Sequence, residues 1–156
     1  TSSLSELPEN LHLFGNHWTS YELSGTEPIS GKGVTVTGVE LTPENSGSIY
    51  HTLSLDADQC NIVVLHGQES EYSARDKAEI VHLTALKNKG IDYLALGHIH
   101  SYKKERLDAR GVYCYPGCLE GRGFDECGEH GFVMLDIDEL TGTIDSTFIP
   151  FGGMCP

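Results

Sequence analysis

The sequence predicts an α/β fold built on mixed sheets, and three observations carry that prediction. Two apolar runs, at residues 61–65 and 93–96, each end abruptly in His and Gly. The segment between them carries apolar residues at helical spacing rather than in alternation. Beyond residue 100 the pattern changes to short alternating runs separated by turn residues, the signature of hairpins.

Taken in order, residues 1–9 are polar and Ser-rich and read as a loose entry segment. Leu11, Leu13 and Phe14 read as a short strand, and Asn16 and His17 as surface-turn residues after it. Residues 33–39, Gly-Val-Thr-Val-Thr-Gly-Val, alternate with period two and predict a half-buried strand. Residues 47–58 form a polar connection to which the pattern assigns no element.

The central unit runs from Asn61 to His100. Its first strand ends at Leu65-His66-Gly67 and its second at Leu96-Gly97-His98-Ile99-His100. Between them Ser73 can cap a helix with Asp76 three residues on. Ile80, Val81, Leu83 and Leu86 give that helix an apolar stripe, and Gly90 offers a stop. Strand, helix, strand is a parallel crossover, and its strands end on one edge of the sheet. His66 is thereby expected beside His98 and His100, with Gly97 letting the backbone swing so that both point one way. Three convergent imidazoles suit a borderline metal ion. Taken alone, a His-x-His pair reads equally well as two loop histidines. Residues 68–72 read as a solvated loop on the same edge.

After His100, residues 103–107 and 111–115 predict a hairpin turning at Asp108-Ala109-Arg110-Gly111. Pro116-Gly117 ends it. Residues 130–138 predict a strong strand, and residues 140–143 turn into a last strand at 144–151. Strands joined first by a helix and then by hairpins predict a mixed sheet, or two sheets packed face to face with helices outside.

Three blocks in this order, Leu65-His66-Gly67, residues 92–100 and residues 115–126 (Tyr-Pro-Gly-Cys-Leu-Glu-Gly-Arg-Gly-Phe-Asp-Glu), resemble the calcineurin-like metallophosphoesterases. Within that superfamily the likeness is to the SbcD-type DNA repair exonucleases, over residues 7–150. The resemblance implies an α/β/β/α sandwich with mixed sheets, of which residues 1–156 form one domain, the C-terminal portion of the catalytic domain. It also implies that the first metal-binding blocks, with the bridging carboxylate and general-acid histidine, lie upstream of Thr1. Gly15-Asn16-His17 is followed by Trp18 rather than the Asp of the family signature, so it is not read as one of those blocks.

The resemblance implies two divalent metal ions in the intact enzyme, Mn first with Fe or Zn as alternatives. His66 and His98 would serve one ion and His100 the other. The fragment alone is expected to be apo, or to hold one adventitious ion, and to be inactive, with no catalytic residue assigned in it. Gly117, Cys118 and Arg122 are the candidate substrate-binding residues at the rim of the site. The family has Ser where Cys118 stands, and Arg122 reads equally as a bridge to Glu120 or Asp125. The implied activity is phosphodiester hydrolysis of DNA, with an SbcC-like SMC-type ATPase as partner. A phosphoesterase acting on nucleotides or phosphoproteins is the alternative enzyme.

Composition limits these readings. With 38% apolar residues, 156 residues suffice for one domain with its own core. Ten Lys and Arg against 23 Asp and Glu give a net charge of −13. Such a surface repels a phosphate backbone, so charge alone does not bring this chain to DNA. The five cysteines lack a Cys-x-x-Cys pair and read as reduced thiols of a cytoplasmic protein. Cys114, Cys118, Cys127 and His130 form a competing zinc set, the mark of a non-catalytic structural module, though their spacing matches no usual knuckle. No run has membrane-span length. A homodimer is expected where sheet edges would otherwise stay unpaired.

Overall fold

The computed structural model describes residues 11–23, 33–66, 81–97, 99, 101–117, 130–138 and 140–150. Among these described residues, eight strands form two sheets. Strands β1 (Thr19–Leu23), β2 (Val34–Gly38), β3 (Cys60–His66), β4 (Tyr93–Gly97), β5 (Lys103–Arg106) and β6 (Val112–Tyr115) make a six-stranded sheet in the order β1-β2-β3-β4-β6-β5. The inner four, β2, β3, β4 and β6, are parallel, whereas β1 and β5 close the edges antiparallel. Strands β7 (Gly131–Asp138) and β8 (Thr143–Pro150) form a separate antiparallel hairpin. This is the expected α/β architecture with mixed pairing, a partial sandwich.

Side-chain alternation divides the six-stranded sheet between two cores. Val63, Leu65, Leu94, Leu96, Tyr113 and Tyr115 point to one face and pack with Val39, Ile49, Tyr50, Leu53, Val81 and Leu86. Those partners come from a single 3-10 turn (Ile49–Thr52), from helix α1 (Leu83–Leu86) and from the segments around them. On the opposite face Val34, Cys60, Ile62, Tyr93 and Cys114 pack under Val133, Leu135, Ile137 and Ile144 of the hairpin. The hairpin is also tied to the sheet edge, where Lys104 Nζ donates to Ser146 Oγ and Tyr102 stacks 4.9 Å from Phe148.

Several expectations need correction. Leu11, Leu13 and Phe14 are not a strand; Phe14 lies across Gly38, within 2.9 Å of where a Cβ would stand. The edge strand is instead β1, tied to β2 by its ladder and by the Ser20–Thr37 hydroxyl contact at 2.7 Å. Strand β2 is buried on both faces rather than one, because Thr35 and Thr37 go inside with their hydroxyls bonded to Gln59 and Ser20. Helix α1 is one turn ending at Lys87, and left-handed Asn88 and Gly90 (φ 61° and 91°) turn the chain into Ile91. Gly90 thus belongs to the turn that follows the helix, which has already stopped at Leu86. The cap expected at Ser73 and Asp76, with Ile80, lies outside the described residues. The 103–115 hairpin and the 130–151 hairpin form where the alternation placed them.

Candidate functional site

Parallel pairing of β3 with β4 has a direct consequence for histidine placement. In register, Ile62 faces Tyr93, Leu65 faces Leu96, and His66 faces Gly97. The crossover therefore ends both strands together, with His66 opposite the residue that immediately precedes His98. His66 is exposed at the sheet's C-terminal edge. By alternation it shares a face with Ile62 and Val64, the face toward the hairpin. His98 and His100 lie outside the described residues. Ile99, between them, packs in the opposite core with Leu94 and Leu96.

Gly97 plays a different part from the one its sequence context proposes. It lies inside β4 and is not one of the positive-φ glycines, so no backbone swing occurs at it. Instead His66 packs beside it: a Cβ at 97 would sit 3.1 Å from His66 Nδ1. The signal for that role was present in the sequence as Gly one residue before the His-x-His pair, but only strand register reveals the neighbour.

The substrate-side candidates meet this edge from β6. Gly117 follows Pro116 directly after the strand and has φ 81°, a left-handed value that only Gly adopts without strain. Gly117 and Gly97 line one cavity of about 440 Å³ between the two sheets, together with Val64, Cys114, Phe132 and Val133. The structure thus brings His66, Gly97 and Gly117 to one end of the parallel strands. Cys118 and Arg122 lie outside the described residues.

The competing zinc set gains nothing from Cys114. Its thiol is fully buried in β6, hydrogen-bonded with Tyr93, and burial pushes it above its ordinary value. Burial likewise raises the Tyr93 phenol, with Cys114 adding to the effect. His130 is buried where β7 begins, while Cys118 and Cys127 lie outside the described residues. Among the described residues no group of three or more His, Cys, Asp or Glu is placed to hold a metal ion. An exposed imidazole at a strand end, with a glycine rather than a larger residue opposite its Nδ1, fits a borderline divalent ion as one member of a larger donor set.

A second polar constellation, unforeseen from sequence, lies at the other end of the same strands. Arg110 Nε and Nη2 donate to the two oxygens of Asp92 at 2.8 and 3.0 Å. The same carboxylate accepts the backbone N–H of buried Asn61 at 2.8 Å, and Arg110 also reaches the Gln59 carbonyl at 2.9 Å. Every acceptor and donor there is internal to the fold, and the role is structural.

No family model matches the chain. Over 137 residues, 85% of its length, it is 32% identical to the uncharacterized metallophosphoesterase YhaO of Bacillus subtilis, and it spans 32% of the length of that protein. The similarity is thus to a protein named as a metallophosphoesterase, the superfamily that the three sequence blocks resemble.

Proposed function

We propose that this chain is the C-terminal portion of the catalytic domain of a two-metal phosphodiesterase acting on DNA, an SbcD-type exonuclease. The observation that carries the reading is the register His66↔Gly97, which sets one histidine against the strand that runs directly into His98 and His100. In this reading His66, His98 and His100 hold divalent metal, Mn first. The ions would polarise the phosphoryl oxygens and lower the pKa of the attacking water. The chain's own contribution is to fix the imidazoles at the sheet edge and to approach substrate with the Gly117 backbone, the Cys118 side chain and the Arg122 guanidinium. Arg122 is suited to phosphate as a planar, permanently charged fork.

The net charge of −13 favours a second reading, in which the substrate is a nucleotide or phosphoprotein rather than a polyanion. In the first reading a cytoplasmic SbcC-like SMC-type ATPase helps bring DNA to the site. Substitution of His66, His98 or His100 by Ala in the protein that carries this segment tests both. Loss of Mn-dependent cleavage of linear duplex DNA supports the exonuclease. Retained DNA cleavage removes the histidine site. Cleavage confined to a small phosphoester, and lost in the same variants, favours the second reading.

A further inference from the structure

His66 and Gly97 are direct partners in the parallel ladder and stand on the same face of the sheet. A Cβ built on Gly97 would lie 3.1 Å from His66 Nδ1 and 3.9 Å from both Cγ and Cε1. Both carbons flanking Nδ1 are 0.8 Å farther away than Nδ1 itself, so the ring turns its Nδ1 edge more than its face toward β4. At 3.1 Å a carbon is closer than ordinary van der Waals contact, so the imidazole and a side chain at 97 compete for one volume. The three nearest atoms to that Cβ position all belong to His66.

We infer that Gly97 is a positioning residue for His66: the missing side chain sets the rotation of the imidazole that a divalent cation requires. This rests on the reading of His66 as a metal ligand. His66 is exposed, so an added methyl group meets the end of a surface side chain, while β4 is anchored by Leu94 and Leu96 in the core. The strain of Gly97→Ala thus falls on the ring and not on the fold. Metal–ligand distances in a well-formed site fall within about 0.2 Å of their standard values. Changes in the groups that orient a ligand typically weaken metal binding by about 10–100-fold.

The test uses the protein that carries this segment, stripped of metal by chelation. Mn²⁺ is titrated calorimetrically into wild type, Gly97→Ala and His66→Ala, and the melting temperature of each apo protein is recorded. The expected result is Mn²⁺ binding about 10–100-fold weaker in Gly97→Ala, with the apo melting temperature of wild type. In apo protein labelled with ¹⁵N in its histidine rings, the His66 ring signals should move and the other histidines should not. Unchanged Mn²⁺ affinity in Gly97→Ala overturns the inference, as does an unmoved His66 signal. A large fall in the apo melting temperature overturns it too, because the strain then lies in the strand. If His66→Ala binds Mn²⁺ as wild type does, it is the underlying ligand reading that fails.

Discussion

Asp92 joins three parts of the chain with one carboxylate. It receives a two-pronged bond from Arg110 in the β5–β6 turn and the N–H of Asn61 at the start of β3, from its own place just before β4. Asn61 is 1% exposed, so its amide has no access to water if the acceptor is removed. Asp92→Ala should cost about 2 kcal/mol, the penalty of an orphaned buried donor plus a lost charged bond. Arg110→Lys, which keeps the charge but loses the fork, should cost about 1 kcal/mol or less. Urea unfolding of both variants checks the order; equal losses would mean that Asn61 does not depend on Asp92.

Asp108 makes a pH-dependent contribution beside it. Partial burial by itself raises this carboxyl, but the N–H groups of Asn88, Gly111 and Arg110, helped by the charge of Arg106, more than offset that and hold it below 3.8. A carboxyl lowered in the folded state stabilises above its unfolded value and ceases to do so as pH falls through the folded one. Asp108→Asn should therefore melt at a lower temperature than wild type at pH 7. The gap should close as pH drops below 3.8. A gap that persists in acid would assign the effect to turn geometry rather than to charge.

Elements were legible in the sequence where an apolar pattern was required to build them. Strands β3 and β4 are continuous apolar runs because both of their faces are covered, whereas in β7 burial alternates and Phe132 and Met134 stand on the exposed face. The hairpin turns were legible from Asp108 and Gly111, and again from residues 140–143, where Gly142 takes φ 75°. Strand β1 was not: Thr19-Ser-Tyr-Glu-Leu23 is an edge held by backbone bonds and hydroxyls, and it needs no apolar face. The same limit applies to the site. His66 could be placed from the grammar of the crossover, yet the steric tie to Gly97 depends on register, which no local pattern encodes.

The outer face of the β7–β8 ladder carries a conflict that the register exposes. Asp136 stands directly opposite Asp145, and both are exposed. Like charges on directly paired strand residues repel. Asp145→Lys should reverse the sign of that pair and gain about 0.5–1 kcal/mol in low salt, fading as salt is added. Melting curves at two ionic strengths decide it; no gain at low salt would show that the carboxylates already diverge.

For the molecule as a whole, the two sheets are joined by side chains and not by backbone ladders. Among the described residues no helix is long and apolar enough to cross a membrane. The inward residues of the hairpin, Val133, Leu135 and Ile137, are only partly buried, whereas Val63, Leu94 and Leu96 beneath the other face are almost wholly enclosed. The strongest part of the fold is therefore the parallel centre that ends at His66 and Gly97.

That arrangement gives the protein an internal clock. Cys60 and Cys114 are buried thiols outside any disulfide on the side roofed by the hairpin, and the roof can lift without breaking a single rung of the main ladder. With Cys118, Cys127 and Cys155 replaced by serine, an alkylating reagent should reach Cys114 faster than global denaturation allows. Val133→Ala should quicken that labelling further. Labelling no faster than denaturation would mean that roof and floor come apart only together.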